Sequence, residues 1–385
     1  MNQNERIYLN FPNCIKKDFP EDFPLAWDAV EQILGAVKQA DFSQLELRSP
    51  GLKGNDWESY LRCSVVRVVR AVKALSNLGI KSGRVLDLGA YFGNFSLVFA
   101  GKGFEVDACD SYKNYDNALN GAINLLQKSG VNILDFQDIG YNLEQIQPET
   151  YDVVLCMGVI EHIPHTPRFL LESINRVLKL GGILLLDTPN LTYIYNRRKL
   201  MRGESVFLSI FLQYYTELPF EGHHREYTVR EILWMLEQIQ HQPLDIELFN
   251  YSYYGIDYLA GYDIINYEIM ENNPTAREYI LSISKKSPND GNNLNNGKKI
   301  SEDALKRIEA LVSNSEEIDY YAAMVAERDA LQAQCNNLQA ERDALQVERK
   351  NLQTELGYIQ NRRIYPLVRL VLQAGDKVKQ IFKKE

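Results

Sequence analysis

The chain has 385 residues, of which 45% are hydrophobic, and a formal net charge of −9. This length suffices for one domain of about 200–250 residues with appendages, and the composition differs from those of collagen-like, fully disordered and disulfide-scaffold proteins. The acidic balance argues against sequence-independent nucleic-acid binding, which needs basic surface. Seven basic and two acidic residues give positions 361–385 a charge of +5, which leaves −14 for the remainder.

The cysteine pattern and the hydropathy indicate a cytoplasmic location. Five cysteines are an odd number, lie far apart and include no CxxC pair, which is typical of a reducing compartment and predicts neither a disulfide framework nor a structural zinc. The first ten residues lack an apolar segment, and no run of about 18 apolar residues occurs. We therefore expect neither a standard secretion signal nor a membrane span.

The first part of the chain predicts helices followed by an alternating α/β region. Helical periodicity at Leu25 to Lys38 and at Trp57 to Leu78 predicts a helical N-terminal segment over residues 1–80. From Lys81 onward, short apolar runs alternate with helical ones. The runs that predict strands are residues 84–88, 104–109, 131–136, 152–157, 183–186, 244–249 and 279–284. This alternation predicts an α/β fold over residues 81–285, with a mostly parallel sheet and helices on both faces.

An aromatic-rich stretch interrupts the alternation at residues 191–227. We interpret it as an insertion that covers a site on the sheet, although aromatic helical segments are more often part of a core. A helix at Thr228–Gln238 is expected to follow it.

The C-terminal part predicts a linker and a long helix. Residues 286–300 are rich in Asn, Gly and Lys, which is typical of a linker. Within the helix expected at residues 301–360, leucines recur every seven residues, at 331, 338, 345 and 352. This is the coiled-coil period, so we expect a homo-oligomer held through residues 326–356. The seam is polar at its other positions, and a single charged helix is the alternative.

The last segment, residues 361–385, is basic and amphipathic. Such a segment can lie on an anionic membrane surface. A docking segment for a protein partner and a solvated helix end are equally good interpretations.

A glycine-bearing turn after the first predicted strand indicates a ligand site. Open α/β sheets bind ligands at the carboxyl ends of their strands. Only Gly89 fits the dinucleotide fingerprint, and no phosphate-binding loop occurs. Asp110, 21 residues after Gly89, can accept hydrogen bonds from both hydroxyls of a ribose. These features favour a nucleoside without phosphates, with Asp138 near the base and Asp87 beside the turn, although each aspartate could instead be a cap or turn residue.

The stretch VLDLGAYFGNFSL at residues 85–97, the acidic strand end at Asp110 and the stretch YDVVLCMGVIEHIPHTPRFL from residue 151 resemble class I S-adenosylmethionine-dependent methyltransferases, in particular the branch with a Glu-His motif after strand four. The resemblance implies a Rossmann-like sheet and S-adenosylmethionine as cofactor. The cofactor-binding residues it implies are Asp87, Gly89, Ala90 and Gly93 at the methionine end, Asp110 at the ribose, Asp138 and Ile139 at the adenine, and Met157 and Gly158 at the floor. The family usually has glycine where this chain has Tyr91, which leaves the shape of the methionine pocket open.

The resemblance also suggests candidate catalytic residues. Some relatives bind a divalent metal with a Glu-x-x-Glu-His run, but the first glutamate is Gly158 here, so we predict no required metal. Methyl transfer to oxygen needs a base for the acceptor proton, and a histidine titrates in the right range. The candidates, in order, are His162, His224 and His223, each of which could instead be a structural histidine.

The expected function is transfer of a methyl group from S-adenosylmethionine to a hydroxyl of a sugar, glycan or other small molecule. The coiled coil and tail resemble the endings of bacterial enzymes of surface-polysaccharide assembly. Two alternatives stay open. One is an acceptor of another class, either a nitrogen or carbon centre or an RNA end, although the charge makes nucleic acid a poor partner. The other is a non-catalytic scaffold that assembles partners through its coiled coil.

Overall fold

The computed structural model describes residues 15–49, 56–140, 143–250, 264–288, 320–361 and 364–381. The chain divides into two compact units, residues 1–316 and residues 317–385. Each unit is described by itself.

Helices precede the sheet. Among the described residues they include α1 (Phe23–Val37), α2 (Ser43–Arg48) and α3 (Asp56–Asn77). Helix α1 has a proline in its first turn, where the missing N–H removes no helical hydrogen bond. Helix α3 buries a broad apolar stripe that includes Val65, Val69 and Val72. The helical periodicity of the sequence predicts both long helices to within two residues at each end.

Seven strands form one sheet. They are β1 (Arg84–Leu88), β2 (Glu105–Asp110), β3 (Asn132–Asp135), β4 (Tyr151–Met157), β5 (Leu178–Pro189), β6 (His241–Phe249) and β7 (Tyr279–Lys286). Their order across the sheet is β3-β2-β1-β4-β5-β7-β6. The first five strands in that order are parallel, and β7 runs antiparallel to both β5 and β6. The order reverses beside β1, so the carboxyl ends of β1 and β4 flank a crevice where a ligand can bind.

Helices surround the sheet. They are α4 (Asn94–Gly101), α5 (Asn120–Lys128), α6 (Arg168–Val177), α7 (Ile194–Met201), α8 (Ile210–Tyr214), α9 (Val229–Gln238) and α10 (Ile264–Asn272). Helix α9 starts at a capping box, in which the Thr228 hydroxyl accepts from the Glu231 N–H and the Glu231 carboxylate accepts from the Thr228 N–H. The predicted Rossmann-like α/β architecture is confirmed.

Two hydrophobic clusters lie within the first unit. One combines the N-terminal helices with β1 and β4 residues such as Val85 and Val153. The other combines α6 and α9 with strand residues such as Leu86 and Leu184. Adjacent strand residues, such as Val85 and Leu86, point to opposite faces because the side-chain period of a strand is two. The N-terminal helices therefore share a core with the sheet.

The predicted linker overlaps the last strand, since β7 continues through Lys286. Beyond Pro288 the linker lies outside the described residues.

The second unit consists of two helices, α11 (Tyr320–Asn361) and α12 (Ile364–Ile381). Helix α11 contains the whole heptad segment, and its Leu338, Leu345 and Leu352 are 58–60% exposed. Pairing of these leucines with another chain stays a prediction. Within the described ranges, each helix is too short or too polar to cross a bilayer.

Candidate active site

A cavity of about 690 Å³ lies at the carboxyl ends of the strands. Its wall includes residues that follow β1, β2, β4 and β5, and others from α3 and from the insertion at residues 191–227. It therefore lies where the sheet topology predicts a ligand site.

Five of the nine residues implied for the cofactor line this cavity: Gly89, Asp110, Ile139, Met157 and Gly158. Gly89 has φ +74°, and a Cβ there would lie 2.4 Å from Val159. This position requires glycine for its conformation and for the close approach of Val159.

The other four residues are not part of the described cavity wall. Asp87 is buried, and its carboxylate accepts a 2.6 Å hydrogen bond from the Ser96 hydroxyl. Burial raises the pKa of Asp87 to about 6, although the Ser96 hydrogen bond opposes the shift. Gly93, at φ +77°, caps α4, and Ala90 is buried. Asp87, Ala90 and Gly93 thus stabilise the turn after β1 without lining the cavity.

Asp138 lies half-exposed at the loop after β3. Its Oδ1 accepts from the Gly140 N–H at 2.8 Å, and its Oδ2 lies 3.7 Å from His165 Nε2. The contact with an adenine edge stays a prediction.

The Asp110 carboxylate is almost fully buried and heavily hydrogen-bonded. Its Oδ2 accepts from the Tyr91 N–H at 2.7 Å. Its Oδ1 accepts from the Ser111 N–H at 2.7 Å and from the Tyr115 hydroxyl at 3.1 Å. Burial nevertheless raises the pKa of Asp110 to about 6. A carboxylate has about four acceptor positions, so one is left for a ribose hydroxyl, and a second ribose hydroxyl would have to displace Tyr115.

Tyr91, where the resembling family has glycine, adopts the left-handed conformation at φ +53°. Its ring packs in an aromatic cluster with the four residues Trp57, Tyr60, Phe92 and Tyr115, at centroid distances of 4.5–6.1 Å. The cluster compensates for the backbone strain of a non-glycine residue at this position. The ring forms part of the wall of a cavity that stays open.

A buried ion pair connects α3 to the end of β5. The Arg67 guanidinium donates to both Asp187 oxygens, at 2.7 and 2.6 Å, and the two residues are 4% and 0% exposed. A Cβ at Gly158 would lie 2.6 Å from the Arg67 guanidinium, so glycine makes room for the pair. The sequence analysis missed this role of Arg67, because the residue lies within an apolar stretch of α3. A charged residue inside such a stretch is the sequence feature that could have indicated a buried ion pair.

Two of the three candidate catalytic histidines line the cavity. Burial lowers the pKa of His162 to about 3, although hydrogen bonds to the backbone carbonyls of Glu221 and Gly222 oppose the shift. His162 is therefore neutral near pH 7, and proton uptake by it is strongly unfavourable.

His223 has a different environment. Its Nδ1 lies 3.2 Å from Glu226 Oε1, and the Asn196 amide donates to Glu226 Oε2 at 2.9 Å. Burial lowers the pKa of His223, but the hydrogen bond to Glu226 and the charges of Glu161 and Glu226 outweigh it and leave the pKa raised. Glu226, which sequence reasoning missed, lies three residues after His223.

His224, the remaining candidate, is not among the described residues that line the cavity. Its backbone N–H donates to the Glu161 carbonyl at 2.7 Å, and its ring packs edge-on against Phe220. These contacts fit a structural role better than a catalytic one.

Glu161 lies beside both cavity histidines. It is 1% exposed and accepts from the Thr188 hydroxyl at 3.1 Å. Burial raises the pKa of Glu161 to about 7, although the charge of His223 opposes the shift. One donor atom each from Glu161, His162 and His223 lie within 4.8 Å of one another, a separation that a metal ion could bridge. The predicted absence of a required metal stays a prediction.

Backbone hydrogen bonds connect α2 to the insertion near the cavity residues Ser49 and Glu221. The N–H groups of Glu217 and Glu221 donate to the carbonyls of Leu47 and Arg48, at 3.1 and 2.9 Å. The Arg48 guanidinium also lies 3.9 Å from the Glu221 carboxylate. Residues of the insertion line the cavity; that the insertion covers a bound ligand stays a prediction.

Comparison with known proteins places this cavity in a known kind of domain. Residues 58–244 match a family model described as a methyltransferase domain. The ubiquinone biosynthesis O-methyltransferase of Rickettsia prowazekii is 32% identical over 126 residues, which cover 32% of this chain and 47% of that protein. The corresponding protein of Nitrosomonas europaea is 34% identical over 113 residues, which cover 29% of this chain and 46% of that protein. The chain thus spans about half the length of these relatives.

Solved structures add little. A 1,6-didemethyltoxoflavin-N1-methyltransferase of Burkholderia thailandensis, solved with its substrate and S-adenosylhomocysteine, is 18% identical at a TM-score of 0.37, with 57% of this chain and 76% of that chain covered. A similarity of that size carries no argument about function. The family match and the relatives support a methyltransferase domain at residues 58–244.

Proposed function

We propose that the protein transfers the methyl group of S-adenosylmethionine to a hydroxyl of a small-molecule acceptor, with His223 as the base. The observation that carries this proposal is the His223–Glu226 pair, which lies in the same cavity as Asp110. A methyl donor held by the sheet and an acceptor held beside His223 would meet inside one enclosed volume, and holding two reactants together lowers the barrier by several kcal/mol.

The cavity fits the donor. Asp110 has an acceptor position for a ribose hydroxyl, and Gly89 and Gly158 leave backbone surface open to a ligand. Carboxylates and aromatic rings such as Tyr91 line the same volume, and both stabilise a cation. S-adenosylmethionine supplies a methyl group that is already activated by a sulfonium charge.

The acceptor proton requires a base. When Nδ1–H of His223 donates to Glu226, Nε2 carries the free lone pair that can accept the acceptor proton. The Asn196 amide holds the second oxygen of Glu226 and thereby orients the pair. We favour His223 over His162, because the low pKa of His162 makes it a weak base.

The proposal is tested by two measurements. A calorimetric titration with S-adenosylhomocysteine should give micromolar binding, and a folded chain without binding would contradict the proposal. The His223→Asn variant should then bind the same ligand unchanged but lose about 10²–10⁴-fold in turnover. His224→Asn is the matched control and should retain turnover within about threefold. Equal losses in both variants would refute the assignment of the base.

A metal could also hold the acceptor, and this is open to direct test. We expect turnover to survive removal of divalent cations by EDTA, because Gly158 replaces one carboxylate ligand of the metal-binding relatives. A loss that Mg²⁺ or Zn²⁺ restores, and that the Glu161→Gln variant abolishes, would instead assign a metal to Glu161, His162 and His223.

We also propose the chemical class of the acceptor. A hydroxyl on a sugar, a glycan or another small molecule fits the cavity volume of about 690 Å³. The curated relatives are named as O-methyltransferases of ubiquinone biosynthesis, which supports oxygen as the methylated atom.

For the C-terminal unit we propose self-association through residues 326–356 and contact of α12 with an anionic membrane surface. The exposed leucines of α11 and the +5 charge of residues 361–385 support these roles. Deleting residues 301–385 should lower the mass in light scattering and spare binding of S-adenosylhomocysteine. An unchanged number of chains per particle would contradict the coiled coil.

The second candidate function, a non-catalytic scaffold, follows from the same helix. It would be favoured by a protein that assembles through α11 but binds no S-adenosylhomocysteine.

A further inference from the structure

A cluster of exposed apolar side chains lies within the insertion. We call it the apolar mouth; it consists of Ile210, Phe211, Tyr214, Tyr215 and Leu218, which are 68–86% exposed. The Tyr215 ring contacts those of Phe211 and Tyr214, each at a centroid distance of 5.1 Å, so these three rings form one surface. Helix α8, which carries three of the five, buries none of its residues. Contiguous apolar surface of this kind marks a binding site.

The apolar mouth continues the wall of the cavity. Residues 206–209, which immediately precede Ile210, all line the cavity, and three of them are apolar: Val206, Phe207 and Leu208. A ligand held in the cavity and extending along this wall would therefore pass onto the apolar mouth. The continuity favours an apolar chain attached to the acceptor itself.

A cationic side chain lies on the same wall. Arg67 and Lys199 are the lysine and arginine residues that line the cavity in the described part of the chain. The charge of Arg67 is neutralised by Asp187. The Lys199 ammonium, by contrast, forms no side-chain hydrogen bond or ion pair among the described residues, and it lies seven residues before Val206. The hydrogen bond from Arg202 and, to a smaller extent, the charge of Lys199 lower the pKa of Glu204. A lysine ammonium outside any ion pair can bind a carboxylate or phosphate.

The carboxylates of the same region have partners of their own. Glu226 pairs with His223, and Glu221 lies 3.9 Å from Arg48. Glu204, on which the Lys199 charge acts, is paired with Arg202 at 2.8 Å. The Lys199 ammonium is therefore left outside these ion pairs, where a ligand can contact it.

From these observations we propose that the acceptor is an anionic amphiphile. Its hydroxyl lies beside His223, its phosphate or carboxylate contacts Lys199, and its apolar chain leaves the cavity over the apolar mouth. The proposal rests on the proposed function, since it names the substrate class of the same site. In this proposal, residues 199–218 determine which acceptor the protein binds.

The test uses the full chain and four small probes below their critical micelle concentrations. The probes are octyl phosphate, octanoate, 1-octanol and inorganic phosphate, each titrated by calorimetry in the presence of saturating S-adenosylhomocysteine. We expect octyl phosphate or octanoate to bind at least about tenfold more tightly than both 1-octanol and inorganic phosphate. The tighter of the two anions identifies the headgroup. Equal affinities for octyl phosphate, octanoate and 1-octanol would overturn the role of Lys199.

Variants separate the two contacts. Lys199→Gln should abolish the preference for the anionic octyl compound over 1-octanol. Phe211→Ser combined with Tyr215→Ser should weaken binding of every octyl compound by about tenfold and leave inorganic phosphate unchanged. Matched controls are Lys81→Gln, an exposed lysine far along the chain, and Leu180→Ser, whose side chain is 58% exposed. If the controls change binding as much as the site variants do, the proposal is wrong.

Other occupants of the apolar mouth give other results. If the Phe211→Ser, Tyr215→Ser variant lowers the mass in sedimentation but binds octyl phosphate normally, a second copy of the chain covers the patch and the proposal fails. If it loses binding to phosphatidylglycerol vesicles while the small probes never bind, the patch contacts a membrane and the proposal also fails. Binding of S-adenosylhomocysteine is measured in every variant, so a failure of the methyltransferase proposal is seen separately.

Discussion

The two halves of the cavity are built in different ways. The cofactor half consists of Gly89, Asp110, Ile139, Met157 and Gly158, each within a few residues of a strand end. The acceptor half consists of insertion residues such as Lys199, Val206 and His223. The insertion is held to α2 by backbone hydrogen bonds from Glu217 and Glu221 to Leu47 and Arg48. The first half depends on local turn chemistry, and the second on contacts between distant segments. The comparison shows why short motifs reveal a cofactor site more readily than an acceptor site.

The largest expected effect comes from the buried ion pair between Arg67 of α3 and Asp187 of β5. Arg67→Met should lower the free energy of unfolding by about 3–5 kcal/mol, because it leaves the buried Asp187 charge without a partner. Denaturant unfolding measures this effect. Arg62→Met, which removes exposed ion pairs on the same helix, should cost about 0–1 kcal/mol. If the Arg67→Met variant is as stable as the Arg62→Met variant, the ion pair with Asp187 does not contribute to the free energy of unfolding.

The next effect is confined to the cofactor half. Asp110→Ala should raise the dissociation constant of S-adenosylhomocysteine by about 10–100-fold, since it removes a hydrogen bond to a charged group. It should also destabilise the fold by about 1–3 kcal/mol, because the N–H groups of Tyr91 and Ser111 lose their acceptor. Calorimetry and unfolding report the two effects. Tyr115→Phe frees an acceptor position on Asp110 and should not weaken binding; unchanged affinity in the Asp110→Ala variant would refute the ribose contact.

His241, which lies outside both halves of the cavity, tests whether low pH lowers the stability of the fold. Burial lowers the pKa of His241 to about 3. As the pH falls below 6.5, the unfolded chain therefore gains a proton that the folded chain does not take up, and stability is lost. His241→Asn should reduce the loss of stability between pH 7 and 5 by about 2 kcal/mol, measured by unfolding at both pH values. An unchanged loss would show that the pKa of His241 is the same in the folded and unfolded chain.

The smallest effect sharpens the acceptor half. Glu226→Gln should lower the pKa of His223, because the hydrogen bond and charge of Glu226 raise it. The base must be unprotonated, so the rise of turnover with pH should move to lower pH in this variant, with a loss of about tenfold at the plateau. Binding of S-adenosylhomocysteine should stay unchanged. A pH profile identical to that of the unaltered chain would remove Glu226 from the mechanism.

The fold could be predicted from the sequence because its elements have strong local signals. Apolar runs predict the positions of β1 and β4, and helical periodicity predicts the ends of α1 and α3 to within two residues. The last strand was the exception, since the lysines at its end resemble linker residues. Lys286 nevertheless pairs with His241 across the edge of the sheet.

The site could be predicted only in part, for a physical reason. Asp110 is the last residue of β2 and Gly158 directly follows β4, so their placement is local. The order of the histidines depends on tertiary burial and charge: His162 lies among backbone carbonyls, whereas His223 faces Glu226. Arg67 is near in space to Asp187 but 120 residues away in sequence. No short pattern encodes such a contact.

The backbone hydrogen bonds between α2 and the insertion have a consequence for how this protein can evolve. Carbonyls of Leu47 and Arg48 accept from N–H groups of the insertion, and nearly any side chains are compatible with such contacts. The Arg67–Asp187 pair, in contrast, constrains two side chains at once. Substitutions in the insertion can therefore accumulate without loss of the scaffold, so new acceptors can be explored while the donor chemistry is inherited unchanged.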